Sequence, residues 1–271
     1  MLRPWFKRTA VLVLGAEGIV LRRAGAQDIR LISSSVEPYT GERLLDELHK
    51  QAGELGLQRV HFILSNQFAR YAVLPWQPDV YAMQDWLALA VHQFRKQFGT
   101  VAESWELRVA LQGYGKPAVA CALDRELVER LLLLSAESGW TVQGIEPALM
   151  TVFNRHRNHL AKVTQWLLLA EPQRLLLAHL TGDVWQNFYI DSPLAGEEPT
   201  AGQRMVERTI RLQGGERPSA IACFGPATLL SDSLDNSMSN GIPMVRLPHP
   251  ALGKGAGQLD KSSLDLLAAI A

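Results

Sequence analysis

Two histidines, His156 and His159, have the spacing that a pair of metal ligands on one helix would need. Residues three apart on a helix share a face, and imidazole is a frequent ligand of zinc and related ions. The sequence shows no evident third ligand, and Arg155 and Arg157 would raise the free energy of a nearby cation. We therefore expect a solvated helix end here and no metal site.

Two glycine-rich strings could approach phosphate groups, but neither has the pattern of a phosphate loop. Residues 253–257 read GKGAG, which lacks the spacing and the terminal Ser or Thr of a P-loop, and no strong strand leads into them. Residues 113–116 read GYGK between two extended runs, as a tight turn would. We interpret the first string as a linker and the second as a turn. No Ser, His and Asp arrangement follows from spacing.

The overall composition is that of an ordinary globular protein with no dominant charge. Of 271 residues, 47% are hydrophobic and 20% are charged, and the 27 basic residues balance the 27 acidic ones. The protein therefore has no net electrostatic field to attract nucleic acid or an anionic membrane. Cys121 and Cys223 lie in apolar runs, which predicts buried, reduced thiols and a cytoplasmic location.

No apolar run approaches the roughly 18 residues that a membrane-spanning helix requires. We expect no transmembrane segment. The first residues, MLRPWFKR, combine aromatic and basic side chains, but the string is too short to hold a protein at an interface. We interpret it as a packed or frayed terminal segment.

Residues 117–154 contain four elements whose boundaries can be read directly. An apolar strand leads to Asp124, whose carboxylate can cap the following helix, and Gly139 can end that helix with a positive φ. A second strand then leads to Pro147, which is tolerated in the first turn of the next helix. This alternation predicts a parallel sheet covered by helices.

The order strand, strand, strand, helix, strand occurs twice, at an offset of roughly 155 to 160 residues. The first copy extends from Thr9 to Leu64 and the second from Trp166 to Phe224. Two such units predict two mixed sheets in two lobes. We assign residues 1–160 to the first lobe, including a small inserted subdomain at about 66–116, and residues 161–271 to the second.

Three strings of the sequence are distinctive, and they are HFILSNQFARYAVLPW (61–76), QDWLALAVHQF (84–94) and ACALDRELVERLLLLSAESGWTVQGIEPALM (120–150). They resemble the PilM-type, actin-like proteins of bacterial type IV pilus assembly. They are also similar to the related cytoplasmic L-type domains of type II secretion. The resemblance implies an α/β, actin-like (ribonuclease H-like) two-lobed fold of duplicated βββαβ units. It further implies a cytoplasmic protein, peripheral at the inner membrane, that binds the N-terminal tail of a single-pass N-type partner, with an assembly ATPase as a further candidate partner.

The resemblance also implies ATP between the lobes, and the sequence departs from that pattern. An acidic residue is expected at the end of each copy's first strand to organise Mg²⁺. Val13 stands at that position in the first copy and Leu169 in the second, followed by Ala170 and Glu171. Pro172 then removes an amide from the second hairpin.

The adenine-side glycine run is reduced to Gly225, with Pro226 and Ala227 next to it. The remaining candidates for the degenerate nucleotide cleft are listed here: Gly15, Glu17, Glu171 and Gly225. We predict no metal ligand, no catalytic residue and no cofactor, with Mg·ATP binding as the alternative.

Three tryptophans of the inserted block, Trp76, Trp86 and Trp105, have two interpretations. They can form core, or they can form a groove for a peptide, because aromatic side chains are favoured anchors at interfaces. An extended tail bound there could also pair with an exposed strand edge. Ser65, Asn66 and Arg70 interrupt the neighbouring apolar runs and either face a partner or follow from strand alternation.

The sequence therefore predicts a pseudo-ATPase that acts as a non-catalytic adaptor of a pilus or secretion platform. The alternative is a nucleotide-binding, actin-like ATPase or a sugar-kinase-like enzyme. A third interpretation, an unrelated two-domain metabolite-binding protein, would require a first sheet without the antiparallel meander.

Overall fold

A computed structural model describes residues 9–15, 17–23, 29–34, 40–163, 166–172, 174–192, 198–214, 217–225, 242–247 and 270. Within these residues the strands, in chain order, are β1 (Thr9–Gly15), β2 (Gly18–Arg23), β3 (Ile29–Ser34), β4 (Arg59–Leu64), β5 (Ala69–Leu74), β6 (Trp105–Leu111), β7 (Ala118–Asp124), β8 (Thr141–Pro147), β9 (Trp166–Glu171), β10 (Arg174–Thr181), β11 (Val184–Asp191), β12 (Ile221–Phe224) and β13 (Met244–Arg246). The helices are α1 (Gly41–Leu55), α2 (Met83–Phe98), α3 (Arg125–Glu137), α4 (Ala148–Val163) and α5 (Glu198–Leu212), with a 3₁₀ helix at Gly99–Ser104.

The chain divides into two compact units. The first comprises Met1–Phe68, Leu127–Asn154 and Pro248–Ala271, and the second comprises Ala69–Glu126 and Arg155–Leu247. None of the helices in the described ranges is long and apolar enough to cross a bilayer.

The first unit contains a five-stranded sheet in the order β3-β2-β1-β4-β8. Its first three strands form an antiparallel meander, and β4 and β8 add to it in parallel. The first sheet therefore contains the antiparallel meander, whose absence the interpretation as an unrelated metabolite-binding protein required. The predicted helix boundaries are confirmed at Asp124, whose Oδ1 accepts from Glu126 N at 2.9 Å, and at Gly139, where φ is 70°.

Helix α1 is positioned by its own amphipathic pattern. Thr40 Oγ1 accepts from Arg43 N at 3.3 Å and caps its first turn. Five apolar side chains of one face are buried, and they are Leu44, Leu45, Leu48, Ala52 and Leu55. Pro147, predicted to open α4, is instead the last residue of β8, and the helix begins one residue later at Ala148.

The second unit repeats the arrangement in a sheet of order β11-β10-β9-β12-β13. Its first three strands are again an antiparallel meander, and β12 and β13 are again parallel additions. Helix α5 places Met205 and Val206 against Leu168 and Cys223 in the core. The predicted duplication is confirmed for these strands, whereas the predicted linker at 253–257 lies outside the described residues.

A third, three-stranded antiparallel sheet, β5-β7-β6, forms the inserted subdomain with α2 packed across it. The subdomain groups by packing with the second unit. The rings of Tyr71 on β5 and Phe188 on β11 lie 5.3 Å apart. The prediction, which followed chain order, placed the subdomain in the first lobe. The lobe boundaries themselves stay a prediction.

One side-chain amide joins the subdomain to the sheet of the second unit. Gln112 Oε1 accepts from Trp185 N at 2.7 Å, and its Nε2 donates to Trp185 O and Pro117 O, each at 3.0 Å. Trp185 lies on β11, the edge strand of that sheet, next to the point where the pairing with β10 shifts register. The amide thus bonds to backbone groups at a sheet edge.

Candidate functional site

The end of the first hairpin in the first unit is apolar and closed. Val13 and Leu14 are fully buried, and Ser65 N donates to Leu14 O at 2.9 Å. Gly15 pairs with Gly18 at the turn, and Glu17 is half-exposed beside it. Of the two candidates here, only Glu17 offers a carboxylate to solvent.

A buried amide side chain occupies the neighbouring helix start. Asn66 is 1% exposed, and its Oδ1 accepts from Leu149 N at 3.1 Å in the first turn of α4. A helix start often binds an anion through its unpaired amides. One of those amides is here satisfied by the protein itself, and Ser65 Oγ accepts from Gln67 N to hold the same turn.

The corresponding hairpin of the second unit is also closed. Leu169, Ala170 and Glu171 are 2%, 0% and 3% exposed. Glu171 is opposite Arg174 across the turn, and the two lie within electrostatic range of Tyr71. Glu171 is therefore a buried member of an internal charge cluster.

Burial dominates the electrostatics of that cluster. It lowers the pKa of Arg174, and Arg70 lowers it further, whereas Glu171 raises it. Burial also raises the pKa of Tyr71 well above its ordinary value, with Cys121 and Glu171 acting in the same direction. The phenol therefore stays neutral at physiological pH. Arg174 Nη2 donates weakly to Ala69 O at 3.4 Å.

Gly225 lies directly against the same hairpin. A Cβ built on it would lie 2.6 Å from Ala170 O and 2.8 Å from Ala170 Cβ. Such distances are far below van der Waals contact. Close packing of the end of β12 on β9 thus requires glycine here. Pro226 and Ala227, named with it in the sequence, lie outside the described residues.

One of the three candidate tryptophans lies in the core of the subdomain and two lie at its edge. Trp86, on α2, is 1% exposed in the core. Trp105 is half-buried and meets the rings of Phe94 and Phe98 at 5.9 and 5.1 Å. Trp76 is also half-buried and has its ring 6.0 Å from that of Trp86.

Sequence reasoning missed a fourth aromatic residue, Tyr114, at the surface beside Trp76. Its side chain is 89% exposed, and its ring meets that of Trp76 edge-on at 5.0 Å. The turn that carries it has positive φ at Gly113 and Gly115, which fits the predicted turn in GYGK. Tyr81, 80% exposed, follows in the segment after β5. We call Trp76 and Tyr114, whose rings are in contact, the aromatic surface.

The histidine pair does not form the predicted solvated helix end. His156 is 7% exposed in the middle of α4, with its ring 5.8 Å from that of Phe224. The expectation of a solvated helix end was wrong for His156, because α4 continues to Val163 and the His156 side chain is buried beside Phe224. The side chain of His159 lies outside the described residues. Within the described ranges, no group of three potential ligands is placed to hold a metal.

No family model matches the sequence, and no curated protein matches it. Solved structures do match over nearly the whole chain. One is a Bacteroides thetaiotaomicron protein of unknown function with an actin-like ATPase fold, at 8% identity and a TM-score of 0.61, with 98% of this chain and 96% of that chain covered. The fold is actin-like.

Two further matches have the same fold and more specific names. The cytoplasmic domain of EpsL, an inner-membrane component of the type II secretion system of Vibrio cholerae, matches at 12% identity and a TM-score of 0.57, covering 97% of this chain and 93% of that one. A chain of the PilM–PilN type IV pilus biogenesis complex matches at 13% identity and a TM-score of 0.58, covering 97% of each chain. The predicted actin-like fold is thus confirmed.

Proposed function

We propose that this protein is a non-catalytic cytoplasmic adaptor of a type IV pilus or type II secretion inner-membrane platform. It binds the N-terminal cytoplasmic tail of a single-pass membrane partner and is thereby held at the inner membrane. The aromatic surface carries the proposal, because an exposed tyrosine backed by tryptophans is the kind of anchor that protein interfaces favour. The likeness to the EpsL domain and to the PilM–PilN complex supports the choice of apparatus.

The aromatic residues of the subdomain have different roles in this proposal. Tyr114 and Trp76 contact the tail, whereas Trp86 supports Trp76 from the core. Trp105 supports the opposite end of the subdomain through Phe94 and Phe98. An extended tail with an apolar side chain packed against the exposed sides of Trp76 and Tyr114 would bury both rings further.

The test is calorimetric titration with a synthetic peptide of the partner's N-terminal tail. The partner is chosen as the single-pass membrane protein encoded beside this one. Tyr114→Ala and Trp76→Ala should each weaken binding at least tenfold, since residues at interface hot spots contribute about 2 kcal/mol or more. Leu133→Ala, which truncates a side chain 59% exposed on α3, is the matched control and should leave affinity unchanged. Equal affinity of all variants would contradict the assignment of this surface.

The non-catalytic part of the proposal rests on the two hairpins. Val13 and Leu169 are buried and apolar where carboxylates would hold Mg²⁺, and Glu171 is buried among protein charges. A triphosphate there would lack charge compensation. The alternative, a nucleotide-binding ATPase or sugar-kinase-like enzyme, draws on the fold and on half-exposed Glu17. Calorimetry with Mg·ATP decides: saturable micromolar binding, lost in Glu17→Gln, would establish the alternative.

A further inference from the structure

We propose that the outer edge of β6 pairs with β6 of a second copy of this chain, joining two subdomains in one continuous sheet. In the order β5-β7-β6, only one side of β6 is paired with a described strand. An edge strand presents unpaired amide and carbonyl groups that another strand can use. This inference goes beyond the proposed tail binding, which uses the aromatic surface.

The sequence of β6, WELRVAL, is complementary to itself in one antiparallel register. With Leu107 opposite Leu107 of the second copy, Glu106 is directly opposite Arg108 and Arg108 is opposite Glu106. Both charged side chains point away from the face that α2 covers, because Trp105, Leu107 and Val109 pack on the α2 side. Opposite charges therefore alternate both along and across the new ladder.

Neighbouring registers are disfavoured by the same charges. A shift of two residues in the pairing places Glu106 opposite Glu106 in one direction and Arg108 opposite Arg108 in the other. Like charges directly opposite destabilise a strand pair. A shift of one residue would place the apolar face of one copy with the charged face of the other. The Leu107-centred register is thus the one in which charge and burial agree.

The surface around β6 fits this arrangement. The side chain of Arg108 is 85% exposed, and its Nη2 lies 3.0 Å from Glu106 Oε1 of the same chain. Because the guanidinium is so exposed, it is also accessible to the Glu106 carboxylate of the second copy. Trp105 would lie opposite Val109 of the second copy, a favourable aromatic and β-branched pair. At the end of the strand, Leu111 is 49% exposed and remains accessible in this register.

The helices leave room for the pairing. Helix α2 packs across β5 and β6, so it lies over the middle of its sheet. The middle strands of the two copies would be three strand spacings apart, about 14 Å. Two helices of about 10–12 Å diameter fit side by side at that distance.

Charge reversal gives a test that a misfolded variant cannot imitate. Glu106→Arg places arginine opposite arginine, and Arg108→Glu places glutamate opposite glutamate, so each alone should weaken self-association at least tenfold in sedimentation equilibrium. Mixed together, these two variants oppose every glutamate with an arginine, and they should form a heterodimer at least as tight as the wild-type dimer. The double variant Glu106→Arg/Arg108→Glu should also restore the wild-type constant.

Three outcomes would overturn the proposal. The wild-type protein could remain monomeric at about 0.1 mM, a concentration at which even a weak specific pairing is populated. The two single variants could fail to associate when mixed, although each is folded by circular dichroism. The double variant could fail to restore association, which would show that Glu106 and Arg108 are not opposite one another in the dimer.

Discussion

Glycine at position 225, against the second hairpin, has two possible explanations, and the variant Gly225→Ala distinguishes them. If this glycine is retained as a remnant of nucleotide binding, alanine should change only ligand affinity and leave the free energy of unfolding unchanged. If it is required by packing, alanine should destabilise the protein without any ligand. The contact of 2.8 Å between the added Cβ and Ala170 Cβ favours packing.

The size of the effect follows from the contacts. Carbon atoms pack best at about 3.5 Å or more, so β9 and β12 must separate locally by about 0.7 Å. Ala170 is held in the middle of the sheet opposite Leu175, and Phe224 is held opposite Leu169. Overpacking of this kind costs about 1–3 kcal/mol, and the positive φ of 154° adds strain for a residue with a side chain. We expect a loss of about 2–4 kcal/mol.

Urea denaturation followed by circular dichroism measures the free energy of unfolding of the wild type and the variant. Gly53→Ala is the matched control, because nothing lies within 4 Å of its Cβ in the interior of α1. That change should stabilise by about 0.5–1 kcal/mol, since alanine is the better helix residue. A loss below about 0.5 kcal/mol for Gly225→Ala, with the control behaving as expected, would refute the packing explanation.

Three further predictions concern the two units and the subdomain. Asn66→Ala should lower the free energy of unfolding by about 1–2 kcal/mol in urea denaturation, because the amide of Leu149 loses its acceptor; no loss would mean that water replaces the side chain. Trp86→Ala should cost about 3–5 kcal/mol in thermal or urea unfolding, as a large side chain leaves a closed core; an unchanged midpoint would place Trp86 outside the core. Cys223 is fully buried, and burial raises the pKa of its thiol, so the unfolded thiol ionises first and stability should fall as pH rises above about 9, with a limiting slope of about 1.4 kcal/mol per pH unit. Cys223→Ala should reduce that slope between pH 9 and 10, and identical slopes would contradict the burial of the thiol.

Local elements were predictable because their signals lie close together in the chain. The cap at Asp124 and the positive φ at Gly139 around α3 are those predicted, since both signals lie next to the helix in the sequence. The duplicated order of strands also followed, because buried strands read as apolar runs. Neither feature depends on a distant residue.

The candidate site was less predictable because its contacts join distant residues. Asn66 and Leu149 are 83 residues apart, and no local pattern pairs them. Trp76 was found by composition, but its neighbour Tyr114 appeared only as part of a turn. His156 was misplaced because its contact with Phe224, 68 residues away, leaves no local pattern in the sequence.

The Gln112 amide has a mechanical consequence for any load that reaches the subdomain. Two of its hydrogen bonds end on the backbone of Trp185, so a pull on the turn between β6 and β7 is passed to β11 through a side chain and not through the continuous chain. Shear between the two sheets must break both bonds together, which makes the junction stiff for small displacements. Beyond that limit it releases as a single step, because one rotamer change of Gln112 removes every bond at once.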